Sequence, residues 1–275
     1  MPQPRYRQLD WYEHPLYYDI GIAPGSEDEA VFLEEVLSAH GRSEGFRVLE
    51  PACGSGRLLL EMAKRGYEVA GFDAKEAMVD FARRRLEAEG LSGDLRQAWM
   101  QDFDLGAERF DLAFCLVCSF QHLLSEEEAV AHLRCVERSL QPGGLYVLGF
   151  HLADYVHQGL SRERWVAERD GVEVTCNLSF WPPDPCIRRE KARARLKVRH
   201  HGAAPKLYET TWEFRTYDLE ELQRLLDAVP GLRHVATYDF RYEIESPREL
   251  EDDHLDVVLV LRREPFPSGA GAIAG

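Results

Sequence analysis

The sequence is short of basic residues, of long apolar runs and of cysteine, and each shortage excludes something. Its 33 Lys and Arg stand against 48 Asp and Glu, a formal net charge of -15 over 275 residues. A Lys/Arg-lined groove for nucleic acid or for an anionic membrane surface is therefore not expected. The cleanest apolar stretch, Leu255 to Leu261, has Asp256 inside it and falls far below the roughly 20 residues that span a bilayer. Met1 to Asp10 is polar and lacks the apolar heart of a secretory leader. Six irregularly spaced cysteines do not form a disulfide framework. These features read as a soluble cytoplasmic protein with neither nucleic acid nor membrane as partner; the oligomeric state is left open. What is present is ordinary globular composition, 45% hydrophobic and 29% charged, in a chain long enough for one large α/β domain or a core with an insert.

Between residues 26 and 150 the pattern alternates between helix and strand. Ser26 to Glu29 reads as a capping box before Ala30, Phe32, Leu33, Val36 and Leu37 at helical spacing. Strands are expected at Arg47–Glu50, Tyr67–Asp73, Asp94–Met100, Phe110–Cys118 and Leu145–Phe150, with helices at Arg57–Arg65, Lys75–Glu89 and from Ser125 to the Gln141-Pro-Gly-Gly144 turn. The nearly unbroken apolar run at Phe110–Cys118 suits a central strand covered on both faces. Such alternation implies an α/β fold with a parallel sheet and right-handed crossovers.

After residue 160 the period changes to two. Val172–Phe180, Arg189–Arg199 and Leu207–Phe214 read as three amphipathic strands of an antiparallel meander. In the second, every odd position is Arg or Lys, the mark of a solvated face pairing with glutamates across strands. The aromatic residues Phe180, Trp181, Tyr208 and Trp212 are expected in the core between meander and sheet, or as a wall over the site. The helix from Asp218 and the strands Leu232–Glu243 and His254–Arg262 resume the α/β pattern. The expected organisation is thus an N-terminal segment 1–25, a core 26–160 completed by 217–263, an insert 161–216 over the carboxyl edge of the sheet, and a disordered tail 264–275.

The most informative stretch is Glu50-Pro-Ala-Cys-Gly-Ser-Gly56, a strand turning into a helix through two glycines. Gly54 and Gly56 leave room for a ligand against backbone N–H groups at a helix start, although a tight turn alone could also use them. Asp73 ends the second strand, where a carboxylate accepts bonds from both ribose hydroxyls. Asp102-Phe103 follows the third strand, a carboxylate for an exocyclic amine beside an aromatic surface. All three points sit at carboxyl ends of consecutive strands. A dinucleotide would want a third glycine where Leu59 stands, and a pyrophosphate would be repelled by Glu50, whereas an amino-acid tail would not be. The expected ligand is adenosine carrying a charged amino-acid tail.

On these residues, with Phe110–Leu123 as the fourth-strand motif and Leu140-Gln-Pro-Gly-Gly-Leu-Tyr-Val-Leu148 before the fifth strand, the chain resembles the class I S-adenosylmethionine-dependent methyltransferases of small molecules. The resemblance implies a doubly wound, Rossmann-like seven-stranded sheet with the last strand antiparallel, carrying the antiparallel meander as an insert. It implies S-adenosyl-L-methionine as cofactor, held by Glu50, Ala52, Gly54, Gly56, Asp73, Ala74, Asp102 and Phe103, with Leu116 flanking the adenine. Ala52 departs from the glycine common in the family. Tyr17-Tyr18-Asp19 is similar to an N-terminal tyrosine motif that lies over the cofactor as a lid, with a core role as the alternative, so Tyr18 joins the expected cofactor contacts.

Methyl transfer by in-line displacement needs alignment and exclusion of water rather than a protein nucleophile, and the sequence shows no nucleophile elbow and no metal-spaced cluster. His122, in the loop after the central strand, is the candidate general base or orienting donor; it could instead begin a helix and bond a carbonyl. His151 at the end of the fifth strand is second. Cys115 and Cys118, if both lie within a strand, point to opposite faces and do not form a joint site. The expected function is methyl transfer to a small-molecule nucleophile. The alternatives are an NAD(P)-dependent oxidoreductase and a non-catalytic S-adenosylmethionine-binding regulator.

Overall fold

The computed structural model describes residues 6–41, 46–156, 159–252 and 255–264. Two sheets organise the chain. The larger has seven strands: β2 (Arg47–Pro51), β3 (Glu68–Asp73), β4 (Asp94–Gln97), β5 (Phe110–Cys115), β6 (Leu140–His151), β11 (Leu232–Tyr238) and β12 (Asp256–Arg263), in the order β11-β12-β6-β5-β2-β3-β4. The strands from β2 to β6 pair in parallel, while β12 runs antiparallel to both neighbours. The expected doubly wound seven-stranded sheet with an antiparallel last strand is therefore observed.

Helices cover both faces. On one lie α2 (Ser26–His40), α3 (Arg57–Lys64) and α4 (Glu76–Ala88), whose Phe32, Leu58, Met62 and Val79 pack with Val48, Leu112 and Phe114. On the other lie α5 (Glu126–Ser139) and α6 (Leu219–Asp227), whose Leu133, Val136, Leu222 and Leu225 pack with Phe110, Ala113 and Cys115. Residues of β5 thus enter opposite cores, which is why it is apolar apart from Asp111, whose carboxylate accepts from the N–H groups of Phe46 and Arg47. Capping boxes at Ser125/Glu128 and Asp218/Glu221 start α5 and α6.

The first helix differs from expectation. Ser26 does not cap α2: its hydroxyl donates to the carbonyl of Ala23, 2.7 Å away, and accepts from Arg57, while Gly25 at φ 90° occupies the cap position. Glu29 faces Arg57 instead of its own helix end, because a buried guanidinium offers a stronger, bidentate partner.

The second sheet holds four long antiparallel strands rather than the expected three: β7 (Ser161–Arg169), β8 (Val172–Phe180), β9 (Arg189–His200) and β10 (Lys206–Arg215). A short β1 (Arg7–Gln8) adds in parallel to β10, giving the order β1-β10-β9-β8-β7. In β9 the even-numbered Ala192, Ala194, Leu196 and Val198 are buried, and the odd-numbered cations point outward, where Arg195 meets Glu209 at 2.7 Å and Arg199 meets Glu173 at 2.6 Å. Trp181 is not in the core; it lies under Arg193, whose guanidinium is 4.9 Å from the ring centroid. Trp11 and Ile20, which come from the N-terminal segment, fill the inner face with Val174, Cys176 and Leu196.

Element ends shift in places. The strand expected to run to Glu243 stops at Tyr238, and the last begins at Asp256; His254 lies outside the described residues, as does all of the tail after Glu264. No helix among the described residues is long and apolar enough to cross a membrane.

Candidate active site

The carboxyl ends of β2, β3, β5 and β6, the N-terminal segment and the inner face of the second sheet surround one cavity of about 1050 Å3. At its glycine turn, Cys53 N–H donates to the carbonyl of Phe72 and Gly56 N–H to that of Cys53, both at 2.9 Å. Gly54 and Gly56 take φ values of 52° and 68°, a region that favours glycine. They serve different ends. A Cβ on Gly54 would meet only Tyr18, at 3.6 Å, so its open side is the cavity. A Cβ on Gly56 would stand 2.6 Å from Cβ of Ala82, so this glycine lets α3 and α4 approach and does not line the cavity. The third-glycine problem is solved from the strand: Leu59 is fully buried, and a Cβ on Gly71 of β3 would lie 2.6 Å from its Cδ1. Helix and strand therefore pack closely without a glycine at 59. Ala52 adopts φ 53°, a left-handed conformation that glycine would take without strain.

Asp73 lines the cavity and is held at both oxygens: Gly54 N–H donates to Oδ2 at 3.0 Å and Lys75 N–H to Oδ1 at 2.9 Å. Burial raises its pKa, and these amides oppose the rise. Tyr18, Ala52, Gly54, Asp73 and Ala74 all reach the cavity wall. Glu50 lies behind it, and its Oε2 is buried with no hydrogen-bond partner. Burial pushes the Glu50 carboxyl well above the usual carboxylate range, with the Arg57 guanidinium acting the other way. Arg57 is itself occupied by Glu29, at 2.7 Å through both nitrogens. An oxygen that lacks a donor, beside a turn that exposes backbone, fits the ammonium of an amino-acid tail.

The other expected contacts fall elsewhere. Asp102 is exposed and away from the cavity, its N–H bonded to the carbonyl of Trp99; Trp99, Met100 and Gln101 line the wall in its place. Phe103 is buried against Phe72, with ring centroids 4.5 Å apart. Leu116 is buried in the core with Val48 and Leu58, and the chain presents Val117 and Cys118 to the cavity. Cys118 has φ 53° just past the end of β5, so it is not within the strand as the Cys115/Cys118 comparison supposed.

His122 lines the cavity from a 3-10 turn over Ser119–His122, neither starting a long helix nor bonding a carbonyl. Its Nε2 is 3.0 Å from the Tyr12 hydroxyl, and its ring meets Phe214 edge-on at 4.8 Å. Burial lowers its pKa to about 4, so the imidazole is neutral at pH 7. Buried Gln121 pins the turn, donating to the carbonyls of Arg215 and His151 at 3.2 and 3.4 Å. His151 differs. Burial acts to lower its pKa, but hydrogen bonding to Asp256 (2.6 Å from Nδ1) and to Cys118 outweighs this and holds it at about 10. It is therefore held as an imidazolium at neutral pH.

The N-terminal segment was under-read from sequence. Tyr17-Tyr18-Asp19 lies inside α1 (Pro15–Ile22), not ahead of the first helix. Asp19, fully buried, accepts from Ser55 Oγ at 2.6 Å and from Arg85 and Arg169 at 2.5 Å each. One carboxylate thereby joins the N-terminal segment to the glycine turn, to α4 and to β7. Lys75, next to Asp73, bonds Asp10 and Glu13 at 2.7 and 3.0 Å. Tyr12 and Trp11 had no sequence signal, since no periodicity runs through Asp10–His14. Trp11 stacks on Trp212 at 5.2 Å, and the Trp212 indole N–H is buried without a partner.

The arrangement is an α/β domain with its cavity at the carboxyl edge of the larger sheet. A family described as "Methyltransferase domain" matches residues 48–144. Among curated proteins, a putative methyltransferase of Bacillus subtilis is 24% identical over 70% of this chain and 76% of its own length. A ubiquinone biosynthesis O-methyltransferase of Cereibacter sphaeroides is 33% identical over 44% of this chain and 48% of its own. For most of these relatives the match spans about half their length or less. Among solved structures, S-adenosylmethionine-bound CalS10, an amino pentose methyltransferase of Micromonospora echinaspora, superimposes with a TM-score of 0.70 at 21% identity, covering 94% of this chain and 100% of that one. Residues 48–144 thus match a methyltransferase domain, and the chain shares its fold with S-adenosylmethionine-dependent methyltransferases; the cofactor this points to is S-adenosylmethionine. An NAD(P)-dependent oxidoreductase and a non-catalytic regulator are not favoured.

Proposed function

We propose that the chain moves a methyl group from S-adenosylmethionine to a small-molecule nucleophile held between the second sheet and the turn after β5. The observation that carries this reading is the cavity that joins the glycine turn and Asp73 to the aromatic inner face of the second sheet. In functional terms residues 1–25 act as lid, 26–160 and 217–263 as cofactor core, and 161–216 as substrate side.

S-adenosylmethionine, when bound, supplies an activated sulfonium methyl for in-line displacement. Glu50 would hold its amino group and Asp73 its ribose hydroxyls. Gly54 leaves the backbone open to it, and Tyr18 covers the turn. Tyr12 and Phe214 fix the ring of His122, whose neutral imidazole orients the nucleophile through hydrogen bonding. With a pKa near 4 it is too weak a base to hold a proton taken from an alcohol or an ammonium at pH 7. Trp11, Phe180 and Trp212 keep water from the methyl path. Two similar proteins support small acceptors: one is a ubiquinone biosynthesis O-methyltransferase, the other an amino pentose methyltransferase.

The test is transfer of isotope-labelled methyl from S-adenosylmethionine to a panel of small amines, phenols, thiols and carboxylates. Labelled product with saturable dependence on one class supports the reading. Tight S-adenosylhomocysteine binding without transfer to any panel member contradicts it and restores the regulator.

A further inference from the structure

Strand β9 places one charged side chain on the wrong face for its neighbours. Its six odd-numbered residues from Arg189 to Arg199 are all basic and point outward, while the even-numbered Ala192, Ala194, Leu196 and Val198 are buried inward. Glu190 is even-numbered. It shares the inner face, pairs in register with Phe214, and lines the cavity. Phe214 is also the ring that meets His122 at 4.8 Å, so Glu190 and His122 flank the same aromatic side chain.

Glu190 makes no ion pair or hydrogen bond among the described residues, although cations crowd the other face of its own strand. Its one electrostatic neighbour is the imidazolium of His151, which opposes the effect of burial on the carboxyl. That imidazolium already carries Asp256 at 2.6 Å. Two carboxylates around one cation leave one negative charge uncompensated at the substrate wall. Glu163 of β7, also on the cavity and likewise unpaired, adds a second charge of the same sign nearer the solvent. A half-buried unpaired carboxylate is costly unless something cationic completes it.

We infer that the acceptor is a small molecule bearing a basic nitrogen, and that Glu190 is the residue that recognises it. The inference rests on the methyltransferase reading above and chooses nitrogen over oxygen within it. The amine binds as its ammonium and sheds one proton to solvent; its lone pair then attacks, the N–C bond forms as the C–S bond breaks, and the bonding pair remains on sulfur. The positive charge passes from sulfur to nitrogen, and the new ammonium then loses a proton to solvent. A carboxylate on the nitrogen side favours the charge as it develops there, and so acts more on the transition state than on the neutral amine. An alcohol with the same skeleton gains far less, because its oxygen sheds a proton and ends uncharged.

The experiment uses the full chain saturated with S-adenosylhomocysteine and matched probe pairs: cyclohexylamine and cyclohexanol, 2-phenylethylamine and 2-phenylethanol, glucosamine and glucose. Binding is measured by titration calorimetry, beside the melting temperature and S-adenosylhomocysteine affinity of each variant. The expected result is that amines bind at least tenfold tighter than their alcohols. Glu190→Gln should bring each amine to the level of its alcohol, with melting temperature and S-adenosylhomocysteine affinity unchanged; Glu190→Ala should repeat the result if the amide perturbs the wall. Equal binding of amine and alcohol, no binding by any amine, or a preference that survives both variants overturns the inference and leaves methyl transfer standing. Failure of the wild-type chain to bind S-adenosylhomocysteine overturns both.

Discussion

The hydroxyl of Tyr12 lies 3.0 Å from Nε2 of His122, joining the N-terminal segment to the turn after the central strand. His122 is placed there by its position after the central strand, whereas Tyr12 has no sequence signal that would bring it there. The bond orients a neutral ring that Phe214 holds from the side. Removing it with Tyr12→Phe should leave S-adenosylhomocysteine affinity within about twofold and lower kcat by about ten- to a hundredfold, as misaligned reacting groups do. His122→Gln should show the same split. Calorimetry beside steady-state kinetics checks both, and an unchanged kcat in either variant removes the pair from the site's chemistry.

The two glycines of the turn should fail differently. Gly56→Ala drives a Cβ into Ala82 at a positive φ, so the loss is in folding, roughly 2–4 kcal/mol by chemical denaturation. Ala82→Gly in the same chain should recover part of it. Gly54→Ala carries the same positive-φ strain but meets only Tyr18, so it should cost less stability while weakening S-adenosylhomocysteine binding, since its side chain enters the cavity. Equal stability losses in the two single variants would contradict this division.

Asp73 carries the nucleoside contact. Asp73→Asn loses charge-assisted bonds and should weaken S-adenosylhomocysteine binding by about 1.5–3 kcal/mol, and it should also lower the melting temperature because one of the two amides of Gly54 and Lys75 loses its acceptor. Calorimetric affinity equal to wild type would remove Asp73 from the ribose position.

A pH dependence follows from His132, which is fully buried between the carbonyl of Met100 at 3.0 Å and the Tyr146 hydroxyl at 2.8 Å. Burial lowers its pKa to about 4, against an ordinary value near 6.5. The unfolded chain therefore binds this proton first as pH falls. The residue's contribution is complete above about pH 6.5 and is lost progressively toward pH 4. Relative to His132→Gln, the wild type should lose about 2 kcal/mol of stability between pH 7 and pH 5, read from urea melts at each pH. A difference that stays constant over that range would show that the ring titrates normally.

The sheet was legible because its signals are local: the apolar run of β5, the glycine turn, and acidic Asp73 at a strand end. The parts that sequence misplaced depend on partners far along the chain. Ser26 and Glu29 look like a capping box until Arg57 arrives from another element. Leu59 looks like a barrier to close packing until Gly71 is seen opposite. Ser161–Arg169 is not legible as a strand because its first four side chains are all polar and exposed, so it opens with no alternation of apolar and polar residues. Asp102 sits one residue beyond the backbone that turns into the cavity, a displacement that motif spacing does not reveal.

Titration of the purified wild-type chain with S-adenosylhomocysteine and, separately, with NADH addresses the whole account at once. Saturable binding of one S-adenosylhomocysteine per chain, with no heat from NADH, is the predicted result. Binding of NADH with none of S-adenosylhomocysteine would contradict it.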